Sequence, residues 1–553
     1  MDTPLELDHE RVDDIPLIIA MARRLGLPER LDEMLGAHGN HQGLSKGWLA
    51  TLWCAYILSE GDHRKSSVAA WAQERMGMLR RVVGRELRPV ELGDDRLSRL
   101  LTRLGDAARW SDIEASMWKG TVLAYAVEPT AVRLDSTTSY GYHTPTDDGL
   151  MQLGHSKDSR PQQPQIKLMA AVAEPIGALI ATQVHPGQTA DDGLYVPMIA
   201  RVRAMTGQRG LLYIGDAKMA ARATRQAIAV GGDSYLCRLP ATQGLAGWVE
   251  GAVTGRHDLT PLCTADGTEF GEGFEVTRPG LAPGDERPER VIVYRAPAFA
   301  ERKRASFDAA LAAAKAELPT LTPSVGRGRR QLATEADLIK AVERVVQKHG
   351  VAGLLFVAWR REPHPSRTAP DRERLVITHI TERSERIADA RARLGWQAVV
   401  TNLAVDRFDT AAAIQTYNTG WLIERQFYDL KDRPLGIQPF YVQRDDQIAG
   451  LTHLLTLAMR ILSLIQWAAR RELKRTGQTL AGLFDSRPNR LTDRPTARRM
   501  LRAVHRQTLT LTHIRGPGLD QWHLTPLPPV LRSILALLDL PDTTYTDLAR
   551  SVI

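Results

Sequence analysis

Apolar residues recur at intervals of three and four positions through the first part of the chain, in IPLIIAMARRLGL, SKGWLATLWCAYILSEG and DDRLSRLLTRLGDAARW. This spacing places the apolar side chains on one face of an α-helix. The pattern therefore predicts a compact all-α domain over residues 1–128, of a kind that can mediate assembly.

The pattern changes at Ala131, where short apolar runs replace the helical spacing. AVRLDST, IKLMAAVAE and GALIATQVH predict three neighbouring antiparallel strands, the last two separated by a turn at Pro175 to Gly177. A helical segment, the strand LLYIGD, a second helix and the strand SYLCRL follow. The order βββαβαβ predicts a layered α/β core.

A mixed segment comes next, with strands predicted at RVIVYRAP, GLLFVAW and RLVITHI between loops rich in Gly and Pro. We interpret it as an inserted domain, after which the strand WQAVVTNL and a helix capped by Asp409 and running to about Lys431 return to the core. The predicted regions are a helical N-terminal domain (1–128), a first core part (129–239), a β-rich or mixed insertion (240–395), a second core part with the helix of Glu424 (396–450) and a helical, basic C-terminal region (451–553).

The composition is that of a globular protein, with 43% hydrophobic and 25% charged residues among 553. Cys54, Cys237 and Cys263 are far apart and cannot form a closed disulfide framework, which favours a reducing cytosol. The acidic segment MDTPLELDHERVDD has no apolar core, so we expect no signal peptide. Polar residues interrupt the apolar stretch 450–469, which predicts a buried helix and no membrane partner.

Positive charge is concentrated near the C-terminus. The chain carries +8 at neutral pH, but residues 1–62 carry −6 and residues 451–519 carry +10. A basic segment of this kind is typical of contacts with DNA phosphates, and an arginine-rich coding bias is the alternative explanation. On the first interpretation, the contacts involve Arg470, Arg471, Arg475, Arg498, Arg499 and Arg502.

Three carboxylates are candidates for chemistry. Asp135 and Asp216 each stand at the end of a predicted strand, and Glu424 lies within a predicted helix. Taken singly, each has a plain structural explanation as a turn, cap or solvated residue. Together, converging carboxylates suit hard divalent cations, and two such ions about 3.5–4 Å apart can activate a nucleophile and stabilise the leaving oxygen of a phosphodiester.

Two further patterns bear on the same question. Tyr417, Glu424 and Lys431 are seven residues apart, close to two helical turns, which predicts one stripe along a helix. No GxxxxGKS or GxGxxG segment opens a helix after a strand, so no nucleotide cofactor is expected. The histidines lack zinc-site spacing.

The segments RLDSTTSYGYH, HPGQTADDGLYVP, YIGDAKM and YNTGWLIERQFYDLKDRPLGIQPFYVQRDDQIAGLTHLLTLAM resemble the DDE transposases of bacterial insertion sequences, over residues 131–460. The family signature YxxRxxxExxxxxxK is matched at Tyr417, Glu424 and Lys431, with Gly420 in place of the usual Arg. The resemblance implies an RNase H-like α/β fold with a β-rich insertion before the catalytic glutamate.

The resemblance also implies roles for individual residues. Asp135, Asp216 and Glu424 would be catalytic ligands of two Mg²⁺ ions, with Mn²⁺ able to substitute. The DNA contacts would come from Tyr417, Lys431, Arg425, Lys218, His155 and Lys157, although a solvated loop remains the alternative for the last three. Trp248 and Trp359 are candidates for stacking on a flipped base, with a core position as the alternative.

The function that follows from the resemblance is transposition. The protein would bind terminal inverted repeats in double-stranded DNA, cleave phosphodiester bonds and join the 3′ hydroxyl ends to target DNA, as a homodimer in the bacterial cytoplasm at the nucleoid. Two alternatives stay open at this stage. Gly420 motivates a catalytically inactive or domesticated DNA-binding relative, and another RNase H-like nuclease would share the same carboxylates.

Overall fold

The computed structural model describes residues 5–36, 43–240, 248–249, 251–253, 256, 258–279, 281, 288–326, 331–332, 334–364, 372–432 and 435–550. The described chain is a mixed α/β protein. Its strands are β1 (Glu6–Arg11), β2 (Ala131–Tyr140), β3 (Gln165–Glu174), β4 (Ala178–Pro186), β5 (Leu212–Gly215), β6 (Ser234–Arg238), β7 (Thr260–Cys263), β8 (Glu269–Arg278), β9 (Glu289–Arg295), β10 (Leu355–Pro363), β11 (Glu373–Glu382), β12 (Trp396–Thr401), β13 (Thr510–Gly516) and β14 (Leu519–Leu524).

The helices are distributed along the whole described chain. They span Ile15–Arg24, Leu27–Leu35, Lys46–Glu60, Lys65–Gln73, Met76–Val83, Asp94–Leu104, Ala107–Tyr125, Tyr195–Thr206, Arg222–Val230, Pro297–Glu317, Glu335–Lys348, Ser384–Ala392, Thr410–Asn418, Trp421–Lys431, Asp445–Thr476, Ala497–His505, Pro529–Leu537 and Thr543–Thr546. We refer to Ala107–Tyr125 as the Glu114 helix, to Trp421–Lys431 as the Glu424 helix and to Asp445–Thr476 as the long helix.

The chain divides into two compact units. The first comprises Met1–Cys237, Leu281–Asp285 and Thr416–Ile553, and the second comprises Arg238–Gly280 and Glu286–Gln415. The first unit therefore contains both the N-terminal and the C-terminal segments of the chain, and the second is formed by the middle.

The sheet of the first unit has the strand order β4-β3-β2-β5-β6. β2 pairs antiparallel with β3, and β3 pairs antiparallel with β4 across the tight turn that ends at Gly177. β2 pairs parallel with β5, and β5 with β6. Parallel neighbours need a crossover connection, which the helix Arg222–Val230 supplies between β5 and β6. The predicted order of strands and helices is present.

The long helix runs through the core of the first unit. Its apolar stretch is long enough to cross a membrane by length and composition alone, but that stretch is completely buried inside the protein, as predicted for residues 450–469. The helix approaches Asp94–Leu104 so closely that a Cβ on Gly450 would lie 2.0 Å from the carbonyl oxygen of Leu101. Glycine is required there because no side chain fits between the two backbones.

A buried cluster of charges connects the long helix to the sheet. The carboxylate of Glu114 accepts hydrogen bonds from the backbone N–H and the hydroxyl of Thr182 on β4, at 3.2 and 2.9 Å. It also pairs with Arg201 at 2.5 Å and with Arg460 of the long helix at 3.4 Å. Arg460 donates in turn to the carbonyl of Ile180 at 2.6 Å. Four segments distant in sequence thus meet at one carboxylate.

The aromatic residues beside this cluster add a second connection. Trp110 donates from its indole N–H to the hydroxyl of Thr182 at 3.0 Å and stacks on His453 with ring centroids 4.2 Å apart. His453 contacts the carbonyl of Leu104 at 2.7 Å, and complete burial lowers its pKa to about 3. The imidazole is therefore neutral at physiological pH.

The expectation of an all-helical N-terminal domain and a helical C-terminal region is wrong at three strands. β1 pairs antiparallel with β13, which pairs with β14 in a hairpin. β1 has the sequence ELDHER and is almost entirely exposed, so it has none of the apolar alternation that predicts a strand. Only its pairing with a segment about five hundred residues away makes it one.

The second unit contains its own hydrophobic core. β7, β8, β9 and β12 form consecutive antiparallel pairs, and β10 and β11 form a separate two-stranded sheet. Strands at β9, β10 and β11 were predicted, whereas β7 and β8 were not. Helices Pro297–Glu317 and Glu335–Lys348 pack with β10 around Leu311, Val345 and Val357. Asp409 caps the following helix, as predicted, by accepting from the N–H of Ala412 at 2.8 Å.

Replacement of Glu114 by Ala is expected to destabilise the first unit by about 3–5 kcal/mol, because the guanidinium of Arg460 then remains buried without its carboxylate. Urea denaturation of the full chain measures the effect. Asp112→Ala, which removes an exposed carboxylate from the same helix, is the control. Equal losses in the two variants would show that the buried cluster contributes nothing specific.

A second prediction concerns the pH dependence of stability. A hydrogen bond with Asp14 raises the pKa of His505 despite partial burial, with Asp13 acting in the same direction and Arg11 against it. The folded pKa therefore exceeds the unfolded value. The resulting stability is fully present below the unfolded pKa of about 6.5 and is lost as pH rises through the folded pKa.

The variant His505→Gln should accordingly lower the free energy of unfolding more at pH 6 than at pH 9. The exposed His523, replaced in the same way, is the control. Denaturation curves at the two pH values provide the measurement, and a pH-independent loss at His505 would contradict the prediction.

Candidate active site

Asp135 and Asp216 lie side by side on adjacent parallel strands. The register pairs Leu134 of β2 with Gly215 of β5, so the next residue of each chain is an aspartate. Paired residues of parallel strands direct their side chains to the same face of a sheet. β5 ends at Gly215, which places Asp216 at the carboxyl end of its strand, as predicted. The prediction is wrong for Asp135, which lies in the middle of β2 because that strand continues to Tyr140 through its pairing with β3.

The two carboxylates interact electrostatically. Burial raises the pKa of Asp135, the Lys157 ammonium opposes this shift, and the charge of Asp216 raises the pKa further. The Asp135 side chain nevertheless retains 24% of its exposure. The site thus holds a pair of acids that repel each other and remain accessible from solvent.

Hydrogen bonds orient Asp135 through one of its oxygens. Oδ1 accepts from the backbone N–H of Ser136 at 2.7 Å and from Nζ of Lys157 at 3.0 Å. The backbone of Lys157 donates to the hydroxyl of Thr138 at 3.1 Å, which fixes this residue against β2.

Asp216 is oriented in the same manner. Its Oδ1 accepts from the hydroxyl of Tyr195 at 2.7 Å and from the backbone N–H groups of Lys218 and Met219 at 2.9 and 3.4 Å. Tyr195 is 1% exposed, and its burial together with the nearby Asp216 raises the pKa of its hydroxyl. Among the described residues, every hydrogen bond to either aspartate reaches Oδ1, so each carboxylate keeps Oδ2 for another partner.

A third acid supports this arrangement. Asp191 accepts from the hydroxyl of Ser136 at 2.9 Å and pairs with the buried Lys167 of β3 at 2.7 Å. Burial opposes its ionisation, but these two hydrogen bonds hold its pKa below the ordinary value. Asp191 thereby anchors the short turn that precedes Tyr195. Neither Asp191 nor Tyr195 was predicted to be a site residue, although both lie in HPGQTADDGLYVP.

Glu424 is exposed on the outer face of its helix, whose inner face buries Ile423, Phe427 and Leu430. Within the described part of the chain, no three Asp, Glu, His or Cys side chains stand close enough to hold a metal ion. The structure thus brings Asp135 and Asp216 together and leaves Glu424 outside that pair.

Polar contacts hold the Glu424 helix at both ends. Arg133, which is 2% exposed, pairs with Glu174 and donates to the carbonyl of Thr416 at 2.5 Å and to the hydroxyl of Thr419 just before the helix. At the other end, Lys431 pairs with Asp158 at 2.7 Å, directly after Lys157 in the chain. The helix is therefore fixed at one end by β2 and at the other by the loop that follows β2.

Tyr417 does not share the predicted stripe. The predicted helix from Asp409 to Lys431 is interrupted at Thr419 and Gly420, so Tyr417 belongs to the helix Thr410–Asn418. Glu424 and Lys431 do lie on one helix, seven residues apart. A Cβ on Gly420 would come no closer than 3.5 Å to the carbonyl of Tyr417, so packing does not require glycine at the position of the family arginine.

The other predicted contacts lie at the surface. Lys218 pairs with Asp192 at 3.5 Å, Arg425 pairs with Asp429 at 3.1 Å, and His155 is exposed. In the second unit, the guanidinium of Arg278 lies 4.5 Å from the ring centroid of Trp248, and Trp359 packs partly buried against the hydrophobic core.

Each of the six C-terminal arginines contacts another group of the protein. Some donate to backbone carbonyls, some pair with carboxylates and some lie over aromatic rings. The partners are Pro495 for Arg470, Tyr125 and Trp467 for Arg471, Glu472 for Arg475, Asp429 for Arg498, Phe484 for Arg499 and Asp485 for Arg502. Part of the C-terminal charge therefore stabilises the fold itself.

Comparisons with known proteins identify one family and one similar solved structure. The model of the transposase DDE domain family matches residues 128–461. Among solved structures, a cryo-EM structure of the piggyBac transposase synaptic complex with hairpin DNA is similar with a TM-score of 0.37 and 7% identity, over 97% of this chain and 88% of that one. No curated protein sequence gives a match.

The family match covers more than half of the chain. The matched region includes Asp135, Asp216 and Glu424. The chain therefore belongs to the DDE transposase family.

Proposed function

We propose that this transposase binds the terminal inverted repeats of a bacterial insertion sequence, cleaves phosphodiester bonds at the element ends and joins the freed 3′ hydroxyls to target DNA. The observation that carries the proposal is the proximity of Asp135, in the middle of β2, to Asp216, which directly follows the adjacent parallel strand β5, inside the region matched by the family. We assign the sheet order β4-β3-β2-β5-β6 to an RNase H-like core on the same grounds.

The donor set at the aspartate pair fits divalent metal ions. Two carboxylates whose Oδ1 atoms are already hydrogen-bonded present their Oδ2 atoms, and hard cations such as Mg²⁺ or Mn²⁺ prefer oxygen ligands. We propose Asp135, Asp216 and Glu424 as the ligands of two such ions. When bound, the ions would activate the attacking oxygen and stabilise the leaving oxygen.

The protein's own residues position the DNA. Lys157 and Lys431, beside Asp135, offer ammonium groups to the phosphates next to the cleaved bond, at the cost of their pairs with Asp135 and Asp158. Lys218, which follows Asp216, is a further phosphate contact in this proposal, as are Arg425, Tyr417 and His155. A homodimer would hold two element ends together, with the protein located at the bacterial nucleoid.

Two alternatives compete with this function. An inactive DNA-binding relative would retain binding without cleavage, and its motivating observation is Gly420. A Cβ would fit at position 420, so packing does not explain why glycine replaces the family arginine. The replacement removes a guanidinium group from this position. Another RNase H-like nuclease would cleave DNA without joining it to a target.

Replacement of Asp135, Asp216 or Glu424 by the matching amide is expected to reduce metal-dependent cleavage of DNA carrying the element end by about a thousandfold or more. Loss of a ligand removes several kcal/mol of transition-state stabilisation. Binding to the same DNA, followed by electrophoretic mobility, should change little. Asp112→Asn is the control for the loss of one exposed carboxylate.

The products distinguish the alternatives. Strand-transfer products from an oligonucleotide that ends in a 3′ hydroxyl support the transposase, whereas cleavage alone indicates a nuclease. Binding without cleavage in the unmodified protein indicates the inactive relative. Full activity in all three amide variants would exclude the proposed ligands.

Tyr195 gives a separate test of the metal site. Tyr195→Phe removes the hydroxyl that holds Oδ1 of Asp216, so divalent affinity should fall by about 10- to 100-fold. Electron paramagnetic resonance of Mn²⁺ titrated into the DNA-free protein measures this affinity independently of activity. The control is Tyr213→Phe, which alters a buried tyrosine of β5. Unchanged affinity in Tyr195→Phe would contradict the orienting role.

A further inference from the structure

The Glu424 helix presents an exposed aromatic ring next to the proposed site. Tyr428 is 54% exposed and lies four residues after Glu424, one helical turn away and on the same face. A rise of 1.5 Å per residue places the two positions about 6 Å apart along the helix axis. The ring therefore borders the surface that the DNA strand would follow past Glu424.

Two guanidinium groups flank this ring. Arg425 lies three residues before Tyr428 on the same helix, and its guanidinium carbon is 6.0 Å from the ring centroid of Tyr428. The guanidinium carbon of Arg498, on the helix Ala497–His505, is 5.8 Å from the same centroid. The carboxylate of Asp429 holds both, with Oδ2 paired to Arg425 at 3.1 Å and Oδ1 paired to Arg498 at 2.9 Å. One acid from the Glu424 helix thus fixes arginines of two helices on either side of one ring.

The arginines retain capacity for a ligand. Among the described residues, each donates one hydrogen bond, to Asp429. A guanidinium has five N–H donors, so most of them remain available. Arg425 and Arg494 both lie close enough to Arg470 to interact with it electrostatically, as does Asp493. The hydroxyl of Tyr428 hydrogen-bonds to Asp432. Acids and arginines are thus mixed around Tyr428, and the contacts for a phosphate come from the guanidinium donors of Arg425 and Arg498 that Asp429 leaves available.

The side chains of Tyr428, Arg425 and Arg498 are suited to binding a nucleic-acid strand. Guanidinium groups match phosphate oxygens, and an exposed phenol ring provides a stacking face for a base. Bases within a duplex are already stacked on their neighbours and cannot reach such a ring without leaving the stack. A fully paired end would use the arginines alone, whereas an unpaired nucleotide would use the arginines and the ring.

We infer that Tyr428, Arg425 and Arg498 form a binding site for an unpaired nucleotide of the DNA strand beside the cleavage position, with the base stacked on Tyr428 and its phosphate bound by the two arginines. The inference rests on the proposed function, because it is Glu424 that places the strand along this helix. It adds one residue, Tyr428, to the proposed contacts and assigns base stacking to that ring.

The test compares two DNA probes in the presence of EDTA, so that binding is measured without cleavage. One probe is a fully paired element end, and the other carries a short unpaired tail with 2-aminopurine at its first position. Fluorescence anisotropy gives the affinities, and quenching of 2-aminopurine reports stacking. The full-length protein is used throughout.

Tyr428→Leu is expected to lower affinity for the tailed probe about tenfold, to abolish the quenching and to leave affinity for the paired probe unchanged. Tyr428→Phe, which retains the ring, should behave like the unmodified protein. Arg498→Gln should reduce affinity for the tailed probe and its salt dependence by about one phosphate contact. Arg532→Gln, at a 60% exposed side chain on another helix, is the matched control.

The outcomes separate this inference from the proposed function. If the unmodified protein binds neither probe, both fail. If it binds both probes but Tyr428→Leu retains the tail preference and the quenching, the site at Tyr428 is excluded while the proposed function stands. The site is also excluded if Tyr428→Phe lowers affinity for the tailed probe as much as Tyr428→Leu does, because the aromatic ring would then not be the feature that binds the base.

Discussion

The first unit depends on a carboxylate that has no access to water. Burial raises the pKa of Glu114, and the adjacent Arg201 and Arg460 charges oppose that shift. An isolated buried charge is too costly to persist, so the four segments that carry Glu114, Thr182, Arg201 and Arg460 must assemble together. β4 is one of these segments and borders β3, which pairs with β2. The position of Asp135 is thereby linked, through β3 and β4, to a buried cluster of charges.

The aspartate pair could be predicted from sequence because both residues follow short apolar runs, although only Asp216 lies at the end of its strand and Asp135 lies within β2. The α/β order of the core was predictable for the same reason. β1 could not be predicted, since its six residues have no periodic pattern and become a strand only through β13. Nor could Tyr195, whose role depends on a hydrogen bond across the fold to Asp216.

The motif around Glu424 predicted the local secondary structure only in part. Spacing alone placed Tyr417, Glu424 and Lys431 on one stripe, which assumed an unbroken helix. The break at Thr419 and Gly420 coincides with the hydrogen bonds that Arg133 makes to Thr416 and Thr419. Tertiary contacts therefore override the periodicity, and they do so at the position where the family arginine is missing. Arg133, the buried arginine on β2, thus contacts the segment directly before Gly420.

The pairing of β1 with β13 has a consequence for how the protein is made. At about 5–20 residues per second, a ribosome that has completed β1 needs roughly half a minute to two minutes to reach β13. During that interval the Glu114 helix also lacks Arg460, which belongs to the last fifth of the chain. The nascent chain therefore spends most of its synthesis without the contacts that complete its first unit. Chaperones that shield the N-terminal helices would act in this interval, and a truncated chain would remain incompletely folded.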